Sequence, residues 1–355
     1  MSLLLVAALA AATIGMEPAA STAPDAAEKE PPFRAIMRAV FANDRLWLLS
    51  DDGKLVTIGA TDELPTQVDL PEPAKDLCLR QGAPLVVAAK PKAGEWTVRQ
   101  YDAGKWRWVA TVPVEDEGLV ALNCSGDRVA LLTNDRLIEL QDGSTREVPL
   151  SQRLWRGRVT STAFAVDGKL LVGVNAGEWG GGLKRIDRTS GKVETIERNS
   201  TGGLCDGPLN TQCDPVHAVA VEPWKPNCLV AAVGLVHFMP HGRLVEVCGK
   251  SVERLYFKPF ADGEGSNKLG LDGEPYSTVA FFGLARGSDG LIAVGIDGLY
   301  RLRGTGEPEF VPLPKFRNVG DYWVSFDLPD AVLVMTNINQ RASISGAVPM
   351  LVMRP

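Results

Sequence analysis

The chain contains three histidines, and all of them, His217, His237 and His241, fall between residues 217 and 241. Asp206, Asn210 and Asp214 lie just upstream. A histidine near carboxylates can act as a general base or metal ligand. A lone histidine on a strand is more often a hydrogen-bonded core group, and His217 sits in the apolar run VHAVAV. A second group, Asn175, Glu178 and Trp179, occupies the glycine-rich stretch NAGEWGGG. Glycines let a backbone approach a ligand closely, an indole stacks on a flat or sugar-like surface, and a carboxylate binds a cation or hydroxyls. The competing role for Trp179 is to cap the end of its own sheet. A third stretch, ADGEGSNKLGLDGEP, carries Asp262, Glu264, Asn267, Asp272 and Glu274. These oxygens would suit calcium, the one cofactor that the residue types suggest. The spacing departs from the roughly 12-residue calcium loop, and a solvated loop explains it as well.

Six cysteines in a chain with an export-like start point to an oxidising compartment. Cys228 opens one strand and Cys248 ends the next, so the two should face each other if the hairpin is centred near Phe238. Cys205 and Cys213 bracket DGPLNTQ, and a bridge there would stiffen a segment without regular structure. Cys78 and Cys124 fall near the inner strands of adjacent repeats, where they either bridge neighbouring blades or stay as buried thiols. No CxxC occurs and histidines are few, which disfavours zinc. The absence of GxSxG, HExxH, GxGxxG and Walker-type runs removes the most recognisable enzyme classes.

These residues need a frame. The stretch from Arg158 to Glu197 holds four short segments rich in Val, Leu, Ile and Phe, separated by Asp-Gly, a glycine run and Ser-Gly. That is the pattern of four antiparallel strands joined by turns. One such sheet leaves an apolar face uncovered, so it needs copies on either side, and a radial array of copies is a β-propeller. Seven units fit the template: Ala35 to Leu70, Ala74 to Pro113, Gly118 to Leu150, Arg158 to Glu197, Val216 to Pro259, Ser277 to Pro314 and Asp321 to Pro355. The expectation is an all-β, seven-bladed β-propeller of four-stranded antiparallel blades. The last unit supplies only three strands, so Pro32 to Met37 is expected to close the ring as an N-terminal strand. A two-sheet sandwich with a second β domain is the structural alternative.

With strands A to D running outward from the axis, B-to-C loops and the connections between blades open on one face. The turns on the other face are short. The long insertions are Asn175 to Gly182, Val236 to Gly242, Asn337 to Pro349, Asn199 to Pro215 and Phe260 to Tyr276. All five fall on the same face over blades four to seven, and long loops are where binding and catalysis concentrate. Tolerated surface insertion is the plain alternative.

Residues 1–23 read as a secretory signal peptide, although no Lys or Arg precedes the apolar run MSLLLVAALAAA. A buried N-terminal helix is the other reading. Residues 24–31 are small and charged and read as a flexible linker, leaving 32–355 as one propeller domain with no membrane span. The formal net charge is −6 without a basic block, which argues against nucleic acid as a partner.

The segments LKRIDRTSGKVETIE (residues 183–197) and LLSDDGKLVTI (residues 48–58) resemble bacterial secreted propellers of the broad NHL-like and sensor-propeller type. The resemblance implies the fold and carries no catalytic residue across. The favoured function is a non-catalytic binding or scaffold module, periplasmic or extracellular, that recognises a protein, peptide or glycan with its loop-rich face. The alternative is a metal-dependent lactonase-like hydrolase with its site at the channel mouth. The inner strands offer few metal-binding groups beyond His217 and Asp321, which weighs against it.

Overall fold

A computed structural model describes residues 36–90, 94–115, 117–141, 143–155, 159–165, 167–199, 207–260, 277–287, 289–312, 322–328, 331–337 and 347–353. Apolar runs of five or six residues, such as PLVVA and VALLT, alternate with turns, and each run becomes a strand with both faces covered. The first blade is β1 (Ile36–Ala42), β2 (Arg45–Ser50), β3 (Leu55–Gly59) and β4 (Thr66–Val68). The second is β5 (Ala74–Arg80), β6 (Ala83–Ala88), β7 (Glu95–Asp102) and β8 (Lys105–Pro113). The third is β9 (Leu119–Ser125), β10 (Arg128–Thr133), β11 (Arg136–Gln141) and β12 (Ser144–Pro149). The fourth is β13 (Val159–Phe164), β14 (Leu170–Asn175), β15 (Gly181–Ile186) and β16 (Val193–Ile196). The fifth is β17 (Val216–Val221), β18 (Cys228–His237), β19 (Met239–Cys248) and β20 (Ser251–Tyr256). The sixth is β21 (Phe281–Arg286), β22 (Leu291–Gly295), β23 (Gly298–Leu302) and β24 (Glu309–Pro312). A last sheet holds β25 (Tyr322–Leu328), β26 (Ala331–Asn337) and β27 (Ala347–Met353).

Within each sheet consecutive strands pair antiparallel in sequence order, which is the propeller topology. The blade count departs from expectation. Among the described residues six blades have four strands, not seven, and the sheet β25–β27 has three. Ile36 and Met37, expected in a closing outer strand, instead begin β1, where Ile36 pairs with Ser50 of β2. Ile36, Ala39 and Ala42 recur as the buried positions of that innermost strand, so burying them there wins over edge pairing. The innermost strands lie side by side around the axis from β1 to β25, and β25 packs back on β1. Among the described residues the ring closes where β25 packs on β1, and Ile36 and Met37 belong to blade one.

The core lies between blades. Leu85, Val98, Leu131 and Ile138 join blades two and three, and Leu132, Leu137, Leu170 and Ile186 join three and four. A middle strand such as β10 is buried on both faces, while the outer β12 is exposed at nearly every position. This explains why middle strands read as unbroken apolar runs and outer strands as polar ones.

The stretch Val236 to Gly242, expected to be a loop, is mostly strand. β18 and β19 pair as far as His237 and Met239, leaving Phe238 alone at the tip with φ +63°. No described helix is long and apolar enough to cross a membrane. Residues 1–35 lie outside the described residues, as do 261–276 and 338–346, where two of the long insertions are expected.

Candidate functional site

Asn175 ends β14 and turns the chain into a single helical turn, Gly177–Trp179. Its Oδ1 accepts a hydrogen bond from Gly177 N at 2.7 Å, which fixes the turn. The loop is clamped from behind. Gly181 N donates to the Thr211 carbonyl at 2.9 Å and Gly182 N to the Asp214 carbonyl at 2.8 Å. Gly180 has φ +78°, and a Cβ there would lie 2.3 Å from the Thr211 carbonyl oxygen, so glycine is required on both grounds. The next residues outward are Glu178 and Trp179. Glu178 Oε2 lies 2.7 Å from His237 Nδ1 at the tip of the β18–β19 hairpin. Trp179 is 77% exposed and Phe238, packed on the His237 ring, is 93% exposed.

His217 lies deeper, on β17. Its Nε2 is 2.7 Å from the Gly234 carbonyl, an acceptor, so that nitrogen carries the proton. Asn175 Nδ2 sits 3.4 Å from each ring nitrogen, and the ring meets Phe282 edge-on at 5.0 Å. Asn175 and His217 are thus brought together, as are Glu178 and His237. His241 belongs to a third arrangement, in which its Nε2 accepts from Arg243 Nη1 at 3.0 Å and lies 3.6 Å from Asp214 Oδ1.

Asp214 is fully buried and Arg243 nearly so. Arg243 Nη2 donates to Asp214 Oδ2, its Nε donates to the Pro208 carbonyl at 2.7 Å, and Asn210 N donates to Asp214 Oδ2 at 2.6 Å. Together they staple the connection between blades four and five onto β19. Asn210 is itself buried and shapes this turn. Asp206 and the stretch 262–274 lie outside the described residues.

Beside Trp179 opens a cleft of ≈ 250 Å³. Gln152, Arg153 and Trp155 enter it from the connection after blade three, Lys184 from β15 and Thr211 from the connection after blade four. Trp155 is 70% exposed. Burial holds the Lys184 ammonium below the usual lysine range. Sequence reasoning missed Trp155, Lys184, Phe238 and Arg243. Trp155 carried a signal, an aromatic in the otherwise polar connection SQRLWRGR. Lys184 did not, since a lysine in LKRI reads as ordinary strand alternation.

The cysteines are used structurally. Cys78 of β5 and Cys124 of β9 bridge blades two and three with Cα atoms 5.9 Å apart. Cys228 and Cys248 face each other in register and are bridged, Cα to Cα 4.4 Å. Cys213 is also disulfide-bonded, and Cys205 lies outside the described residues. Glu222 and Glu246 crowd the second bridge, with potential ligand atoms of the four side chains within 4.8 Å of one another. The two sulfurs are joined to each other, so only carboxylates remain to offer. Lys225 Nζ donates to both Glu246 oxygens at 2.8 and 3.0 Å. Burial, and then the Glu246 carboxylate, push Glu222 up to about 7.

No family model matches the chain, and no curated protein matches it. Solved structures match at the level of fold, and they are β-propeller proteins. The extracellular domain of the hybrid two-component system BT4673 from B. thetaiotaomicron is 14% identical, with a TM-score of 0.54 over 90% of this chain. This chain spans only 38% of that one. YCF48 from Cyanidioschyzon merolae is 10% identical over 90% of this chain and 96% of that one, with a TM-score of 0.54. YCF48 is also seen bound to D1 peptide. Hydrazine synthase from Kuenenia stuttgartiensis is 11% identical over 94% of this chain and 99% of that one, with a TM-score of 0.57. At these identities the likeness establishes the propeller fold alone.

Proposed function

We propose that this chain is an exported, non-catalytic binding propeller that recognises a protein, peptide or glycan through the loop face of blades four and five. One observation carries the reading. The Glu178–His237 contact ties the blade-four loop to the blade-five hairpin, and the residues next to that contact, Trp179 and Phe238, are 77% and 93% exposed. Large aromatics held out on clamped backbone supply contact area with little ordering cost, the usual makings of an interface anchor. The interblade disulfide and the cross-strand disulfide suit an oxidising compartment, in keeping with the signal-like residues 1–23. The peptide-bound YCF48 shows that a propeller of this general shape can take a peptide.

The test is selection of phage-displayed random peptides, and in parallel a printed glycan array, on immobilised protein. Ligands are expected whose binding is lost in the Trp179→Ala/Phe238→Ala double variant and retained in Trp108→Ala, an exposed tryptophan on the outer strand of blade two. Ligands indifferent to the double variant would move the site elsewhere.

A further inference from the structure

The cleft beside Trp179 narrows the ligand class, an inference that rests on the binding-face reading above. The chain carries a formal net charge of −6, yet among the described residues the cleft is lined by two cations, Arg153 and Lys184, and by no carboxylate. Arg153 is loosely paired with Asp135 at 3.6 Å. Among the described residues the Lys184 ammonium has no ion-pair or hydrogen-bond partner, and the residue is half-buried in β15. A desolvated ammonium without a counter-ion is costly, and an anionic ligand would offset that cost.

The remaining lining describes the ligand's other faces. Trp155 and Trp179 are 70% and 77% exposed, and both line the cleft. Gln152 contributes an amide without a partner among the described residues. Thr211 donates its hydroxyl to Glu197 at 2.7 Å, leaving its lone pairs to accept. Indoles, an amide, a hydroxyl acceptor and one unpaired cation, Lys184, match a flat-faced, hydroxyl-rich ring that carries a single acid group. The backbone around the cleft is already engaged. Gly181 N donates to the Thr211 carbonyl at 2.9 Å, Ala176 N to the Gly180 carbonyl at 2.7 Å and Leu154 N to the Asn134 carbonyl at 2.8 Å. A peptide adding as a strand would find no ladder here, which favours a ring held by side chains.

We propose that the cleft between Trp155 and Trp179 binds a carboxylated saccharide of the hexuronate kind, with the carboxylate on Lys184 Nζ and the indoles against the sugar rings.

The experiment is calorimetric titration of the full chain with hexuronate trisaccharides of the galacturonate, glucuronate and mannuronate types. The matching neutral trisaccharides and a tetraglutamate peptide are run alongside. At least one uronate trisaccharide should bind, weakening with salt, and its neutral counterpart should bind at least tenfold less well. Lys184→Gln should remove that preference while keeping the unfolding midpoint, and Trp155→Ala should weaken both sugars. Equal binding of acidic and neutral sugars, or a uronate preference that survives Lys184→Gln, would overturn the carboxylate assignment. Lys184-dependent binding of tetraglutamate without any saccharide would overturn the ligand class and leave the binding face standing. No binding of any probe also overturns the proposal, and the peptide and glycan selections then judge the face by themselves.

Discussion

His237 Nδ1 and Glu178 Oε2 meet at 2.7 Å across the gap between blades four and five, although both side chains are about half exposed, at 45% and 46%. An exposed pair of this kind contributes only about 0–1 kcal/mol to stability, so its consequence is positional. Glu178→Gln should leave global stability within about 1 kcal/mol of the parent. Amide hydrogen exchange over residues 176–181 should nevertheless speed up. Unchanged exchange there would mean that the Thr211 clamp alone holds the loop.

The buried Asp214–Arg243 pair makes the opposite prediction. Removing one partner leaves an uncompensated buried charge, so Asp214→Ala should cost about 3–5 kcal/mol in denaturant unfolding. Replacing Arg243 as well should recover part of the loss. A cost below about 1 kcal/mol would place the staple elsewhere.

Glu222 predicts a pH dependence. Its folded pKa, about 7, lies above the ordinary 4.5 because of burial and the neighbouring Glu246. A carboxyl raised in the folded state binds its proton more tightly there than in the unfolded chain. Its favourable contribution is therefore complete below about pH 4.5 and is lost as pH rises towards 7. Glu222→Gln should raise the melting midpoint at pH 8 and change it little at pH 5. A midpoint lowered at pH 8 would contradict this sign.

The Cys78–Cys124 bridge closes a loop spanning 46 residues between the inner strands of blades two and three. By the chain-entropy account its loss, as Cys78→Ser/Cys124→Ser, should destabilise by about 4 kcal/mol. Equilibrium unfolding by guanidinium measures this, and a change below about 1 kcal/mol would show that strand packing alone joins these blades.

Much of the fold was legible because burial on both faces leaves a sequence mark. PLVVA in β6 and VALLT in β10 could only be covered strands, and the turns between them marked four-strand units. Cys228 and Cys248 gave the register of β18 and β19 directly. The blade count misled because Ile36 and Met37 suit an outer strand as well as an inner one, and only long-range packing decides. Val236 to Gly242 looked like a loop because it contains Pro240 and Gly242. In the structure the Pro240 carbonyl accepts from Thr278 N at 3.0 Å, and a Cβ on Gly242 would lie 2.7 Å from Ala280 Cα. Gly242 is thus a requirement of the contact between blades five and six, while the bond at Pro240 uses a backbone carbonyl that any residue would offer. The grouping of histidines drew attention to blade five. It could not show that Arg243 would pair with Asp214, 29 residues away, or that Trp155 and Lys184 would share a cleft.

The measurement that bears most directly on the central claim is the affinity of a selected peptide or glycan for three proteins: the parent, Trp179→Ala/Phe238→Ala and Trp108→Ala. Two exposed anchors removed together should weaken binding by about 100-fold or more, whereas Trp108→Ala should stay within about twofold. Equal affinities for all three, or a loss confined to Trp108→Ala, would contradict the assignment of the binding face to blades four and five.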